Sequence, residues 1–139
     1  MSTDFSNLPN LQHSIPLSEA AAMTRRYRDN KALILKPDYP ADILALCETF
    51  NKDAVVALGN TPGAAGIRIY YGMDEDLLCH AILVAVDDKG ADMLPPAGTG
   101  SAMAGPALAE DDEDGFDILE DSIRCPTICP PDSPLNVEP

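Results

Sequence analysis

Between residues 66 and 73 apolar and polar positions alternate, with Ile67, Ile69, Tyr71 and Met73 set against Arg68, Tyr70 and Gly72. A period of two in β-branched and aromatic residues predicts a half-buried strand. After the acidic turn Asp74-Glu75-Asp76 the chain is apolar almost without a break over 78–86, and Ile82, Val84 and Val86 favour a second strand over a helix. A four-residue loop over 74–77, built on a type I turn, centres the hairpin between Glu75 and Asp76. That register sets Met73 opposite Leu78, Tyr71 opposite His80, Ile69 opposite Ile82 and Ile67 opposite Val84, and gives these eight residues one buried face. Arg68, Tyr70 and Gly72 then share the outer face with Cys79, Ala81 and Leu83. Asp87-Asp88-Lys89-Gly90 supplies a turn whose glycine takes the left-handed position, so a short third strand is expected near 91–94, stopped by Pro95-Pro96.

Upstream the period lengthens. Ser18, placed as an N-cap with Glu19 against the positive end of the helix dipole, opens a first helix over about 19–29. Its apolar side carries Ala20, Met23 and Tyr27, and Arg25, Arg26 and Arg28 lie mostly on the rest. Ala41, Ile43, Leu46, Cys47 and Phe50 follow the i, i+3, i+4, i+7 spacing, which predicts a second helix with Cys47 on its buried stripe. Asn51 reads as a fresh N-cap, with Phe50 and Val55 as a hydrophobic staple, so KDAVVALG should form a third, short helix. Residues 59–63, GNTPG, end it.

Beyond Leu94 the composition changes. Residues 95–115 are rich in Pro, Gly and Ala and then in acid, too poor in apolar side chains to offset ordering entropy, and read as a flexible acidic linker. Residues 116–139 form a Cys/Pro-rich segment whose prolines favour extended conformations. The expected layout is a loose arm over 1–15, a domain over 16–94, the linker and the extended tail. The expected fold class is α+β, with two or three N-terminal helices packed on one face of a small three-stranded antiparallel meander.

The chain of 139 residues carries a net charge of −14, unevenly placed. Residues 1–73 hold seven acids and seven bases, and residues 74–139 hold sixteen acids against Lys89 and Arg124. Such an excess repels phosphate backbones and anionic lipid heads, so nucleic acid and membranes are not expected partners. The basic cluster Arg25, Arg26, Arg28 and Lys31 reads as a solvated helix face, with docking of the tail as the alternative. No apolar run approaches the roughly 18 residues of a membrane span, and the start does not resemble an export signal. Four cysteines without such a signal point to the cytoplasm and to free thiols.

Candidate chemistry is sparse. Cys125 and Cys129, four apart in RCPTICPP, suit a small redox loop or half of a metal site, although metal sites commonly use a closer pair and a second half is not visible. Glu110, Asp112 and Asp114 before Gly115 resemble the start of a calcium loop, but Asp117 and Asp121 occupy positions where an apolar residue and a glutamate are needed. Tyr71 and His80, as core residues of the hairpin, do not read as a catalytic pair. No nucleophile elbow, phosphate loop or cofactor motif occurs, so neither an enzyme nor a cofactor is indicated.

TRRYRDN, ETFNKDAV, GIRIYYGMDE with HAILVAVD, and ILEDSIRCPTICPPDSPLN together resemble a small uncharacterised bacterial family with the same hairpin and C-terminal Cys-Pro tail. The resemblance implies no activity and transfers no site residue. The functional expectation is a protein-interaction module that meets a protein partner or a second copy through the outer sheet face (Arg68, Tyr70, Ala81, Leu83) or through the tail (Cys125, Cys129). The alternative is a metal-binding or thiol-redox protein centred on Cys125 and Cys129.

Overall fold

The structure is a computed structural model that describes residues 4–95 and 117–137. Glu110, Asp112, Asp114 and Gly115 of the acidic run, and most of the expected linker, lie outside these residues. Two compact units are formed, counting the described residues within their bounds. The first comprises Met1–Leu11, Phe50–Tyr71 and Ala81–Asp121, and the second Gln12–Thr49, Gly72–His80 and Ser122–Pro139. Among the described residues the fold is α+β with two α-helices and antiparallel sheets. Among the described residues no helix is long and apolar enough to cross a membrane.

The first unit is built on one helix and most of a four-stranded sheet. Helix α2, Lys52–Gly59, starts where the cap signal placed it, with the Asn51 side chain accepting from the Asp53 N–H at 2.8 Å. Strands β2 (Gly66–Met73) and β3 (Cys79–Val86) form the hairpin, and β4 (Asp92–Met93) follows through a turn in which Gly90 has φ +83°. Strand β5, Ile118–Leu119, pairs with Leu83 and Val84 next to the point where β4 pairs with Ala85 and Val86. The sheet therefore has four strands where the sequence suggested three. Leu58, Leu83 and Ala85 form the buried centre, with Phe50, Val55, Ala64, Ala81, Met93 and Leu119 packed around it.

This core sits on the opposite face of β3 from the one the sequence pattern suggested. The Asp74 N–H donates to the Leu78 carbonyl at 3.0 Å, so the loop is centred on Asp76 and Leu77 takes a left-handed φ of 67°. One added loop residue moves the register by one, and a slip of one exchanges the faces of a strand. The consequence is visible at Asp92. It pairs with Val86, and both Arg68 (2.6 Å) and Tyr70 (2.5 Å) donate to its carboxylate. Arg68 and Tyr70 thus share a face with Val86, and Ala81, Leu83 and Ala85 point the other way, toward α2. Tyr71, expected in the core, is 87% exposed.

In the second unit the buried apolar residues among those described are Ile43 and Cys125. Helix α1, Leu17–Asn30, has no buried residue, and Pro16 rather than Ser18 is its N-cap. It is held by long polar side chains: the Tyr27 hydroxyl donates to the Ala45 carbonyl at 2.7 Å and the Lys31 ammonium to that of Ala41 at 2.7 Å. The helix expected over 41–50 does not form. A 3-10 turn, Ala41–Ile43, leads into strand β1, Cys47–Thr49. The reason lies in the backbone: the carbonyls of Asp42 and Ile43, which a helix would direct to the next turn, accept instead from Arg124 at 2.6 and 2.8 Å. The Leu46 N–H donates to Cys125 at 2.9 Å.

Candidate thiol site

The site grows from two three-residue strands. Strand β6, Ile123–Cys125, runs antiparallel to β1, pairing Cys47 with Cys125, Glu48 with Arg124 and Thr49 with Ile123. Alternation then divides the ribbon, with the charged pair on one face and the two cysteines on the other. The charged face fixes the strands. Arg124, 9% exposed, donates from Nε to the Cys79 carbonyl (2.9 Å), from Nη2 to Asp42 and Ile43, and from Nη1 to Pro126 (3.3 Å). The Ser122 hydroxyl donates to Glu48 at 2.8 Å, and His80 Nδ1 lies 3.7 Å from the same carboxylate oxygen. His80 Nε2 meets Asp74 at 2.8 Å. Backbone donation from Leu78, followed by the contact with His80, holds the Asp74 carboxyl below the usual aspartate range.

On the other face Cys125 is 2% exposed and its sulfur is bonded to that of Cys129, with a Cα–Cα distance of 4.7 Å. The expectation of four free thiols is corrected here: Cys47 and Cys79 are free, and Cys125 and Cys129 are oxidised. The two bridged cysteines differ in exposure: Cys125 is buried and Cys129 is exposed. A disulfide sulfur is not a thiolate ligand. Among the described residues no group of three or more His, Cys, Asp or Glu side chains is arranged to hold a metal ion.

Cys47 is half-buried and lines a cleft of about 430 Å³ with Tyr27, Leu46, Pro130, Pro131 and Leu135 among its walls. Arg28 holds the tail beside this cleft by donating to the carbonyls of Leu135 (2.7 Å) and Val137 (3.4 Å). Of the basic cluster, Arg28 thus meets the tail through backbone carbonyls. Burial pushes the Tyr27 hydroxyl up from its usual range, Cys79 adds to the shift and Arg124 opposes it.

The expected outer-face site is not one surface. Arg68 and Tyr70 are engaged with Asp92, and Ala81 and Leu83 belong to the packing around Leu58, with Leu83 7% exposed. Cys125 and Cys129 are brought together. Cys47, whose spacing predicts a helical position, lies instead in β1 beside Cys125. A signal was present: C-E-T and I-R-C are antiparallel complements, each with a cysteine and with opposite central charges. Comparison with known protein families, curated proteins and solved structures gives no match.

Proposed function

We propose that the chain is a protein-interacting thiol–disulfide exchange module, with Cys125–Cys129 as its reactive bond and the C-terminal segment as the part that meets its partner. The observation that carries this reading is the asymmetry of the bridge, with one cysteine buried at 2% exposure and the other exposed. An incoming thiolate therefore has one open target. A client thiolate attacks Cys129 Sγ, the Cys125–Cys129 bond breaks, and the electron pair leaves on Cys125 Sγ, which takes a proton from water. A second client thiolate then attacks the client sulfur of the mixed disulfide and expels Cys129 as thiolate. The client dithiol is oxidised by two electrons and the bridge is reduced by two. The partner class is a protein dithiol, and in the cytoplasm, the expected location, such a bridge is a transient, cycling species.

The test is redox equilibration of the folded full-length chain in glutathione buffers, with thiols trapped by alkylation and the trapped sites mapped. The bridge is expected to open without denaturant, with the first mixed disulfide on Cys129. In a Cys129→Ser chain, glutathionylation at that position is lost. A bridge that opens only when the chain is unfolded marks a structural staple and overturns the proposal.

A further inference from the structure

Cys125 has a second cysteine beside it, its direct partner on the β1–β6 ladder. Direct partners on an antiparallel ladder have Cα atoms about 4.5 or 5.5 Å apart, depending on whether the pair is hydrogen-bonded. Both separations fall inside the roughly 4.4–6.8 Å window that a disulfide requires. Cys47 and Cys125 are such partners, so their side chains leave the ribbon on the same face. Cys47 is free and half-buried, and opens onto the cleft. Buried Cys125 is thus bonded to exposed Cys129 and paired on the ladder with free Cys47.

We propose that Cys47, Cys125 and Cys129 form a three-sulfur relay in which the bridge moves from Cys125–Cys129 to Cys47–Cys125. The inference rests on the exchangeable bridge proposed above. Cys47 gives up its proton to solvent and its thiolate attacks Cys125 Sγ. The Cys47–Cys125 bond forms as the Cys125–Cys129 bond breaks, and the electron pair leaves on Cys129, which is then protonated. No oxidant or reductant is consumed. The product carries a free thiol at the exposed position, so the two isomers have opposite chemistry. One offers a disulfide to protein thiols, and the other offers a surface thiolate to protein disulfides. The new bridge also closes a far longer stretch of chain than the old, so the isomer's fold is held more strongly against its own unfolded state.

Bridge mapping in the full-length chain tests this. Tryptic cleavage after Lys52 and Arg124 separates the Cys47 peptide from the one that holds both Cys125 and Cys129. The isomer therefore appears as a cross-linked pair whose fragmentation identifies the cysteine engaged. At mildly alkaline pH the wild-type chain should accumulate this pair as maleimide labelling moves from Cys47 to Cys129, with Cys79 labelling unchanged. Cys47→Ser should abolish the pair. Cys129→Ser, oxidised with glutathione disulfide, should form Cys47–Cys125 as its intramolecular bridge. A Cys129→Ser chain that is folded and becomes glutathionylated on Cys47 or Cys125, yet never links the two, overturns the relay and leaves the exchange reading standing. A wild-type bridge that no added thiol opens in the folded chain overturns the exchange reading, and the relay with it.

Discussion

Replacing Arg124 with methionine keeps much of the side chain's length and removes its charge and all of its donors. The guanidinium serves four backbone carbonyls, those of Cys79, Asp42, Ile43 and Pro126, three of them at 2.6 to 2.9 Å. A hydrogen bond to a charged group contributes about 1.5–3 kcal/mol net, so three short ones set an upper limit near 5–9 kcal/mol. Water entering the vacated space re-satisfies part of this, and the methionine regains some apolar burial. The net loss is expected at about 3–5 kcal/mol, the scale seen when one partner of a buried charged contact is deleted. That is a large share of the roughly 5–15 kcal/mol that holds a domain together. Arg124→Lys keeps the charge but presents its donors from one point, which cannot span four carbonyls, and should lose about half as much. Urea titration followed by far-ultraviolet circular dichroism measures both losses. Native-state hydrogen exchange should show β1 and β6 losing protection first. A methionine variant within about 1 kcal/mol of wild type would refute the view that Arg124 organises this unit.

Two further outcomes follow from the same geometry. Asn51→Ala removes the 2.8 Å cap on the Asp53 amide and should cost about 1 kcal/mol in urea midpoint analysis, whereas Asn51→Asp, which keeps the acceptor, should be nearly neutral; equal losses in the two variants would exclude the cap as the cause. Asp74 is held below the ordinary aspartate value of 3.8, so its contribution is fully present above that pH and is lost as pH falls through its lower folded value. Asp74→Asn should therefore flatten part of the acid limb of a stability–pH profile, and an acid limb of unchanged slope would contradict the assignment.

Local chemistry settled the elements that depend only on neighbours in sequence. Alternation over 66–73 and the apolar run after it gave β2 and all of β3, with Leu78 in excess, because a period of two is a property of the strand alone. Asn51 and KDAVVALG gave α2, because a cap acts within three residues of itself. Gly90 gave the turn before β4 for a similar reason, since only the backbone at that residue must turn left-handed. Three things required the tertiary structure. Which face of the hairpin is buried depended on a single loop residue at Leu77, and β3 is apolar on both faces, so its pattern carried no vote. The helical spacing over 41–50 was a true local preference that lost to Arg124, a residue about eighty positions away that takes the carbonyls a helix needs. The thiol site was likewise invisible in chain order. Cys125 and Cys129 are close neighbours in sequence, but Cys47 reaches Cys125 only because two three-residue strands, each too short to declare itself, find one another in the folded chain.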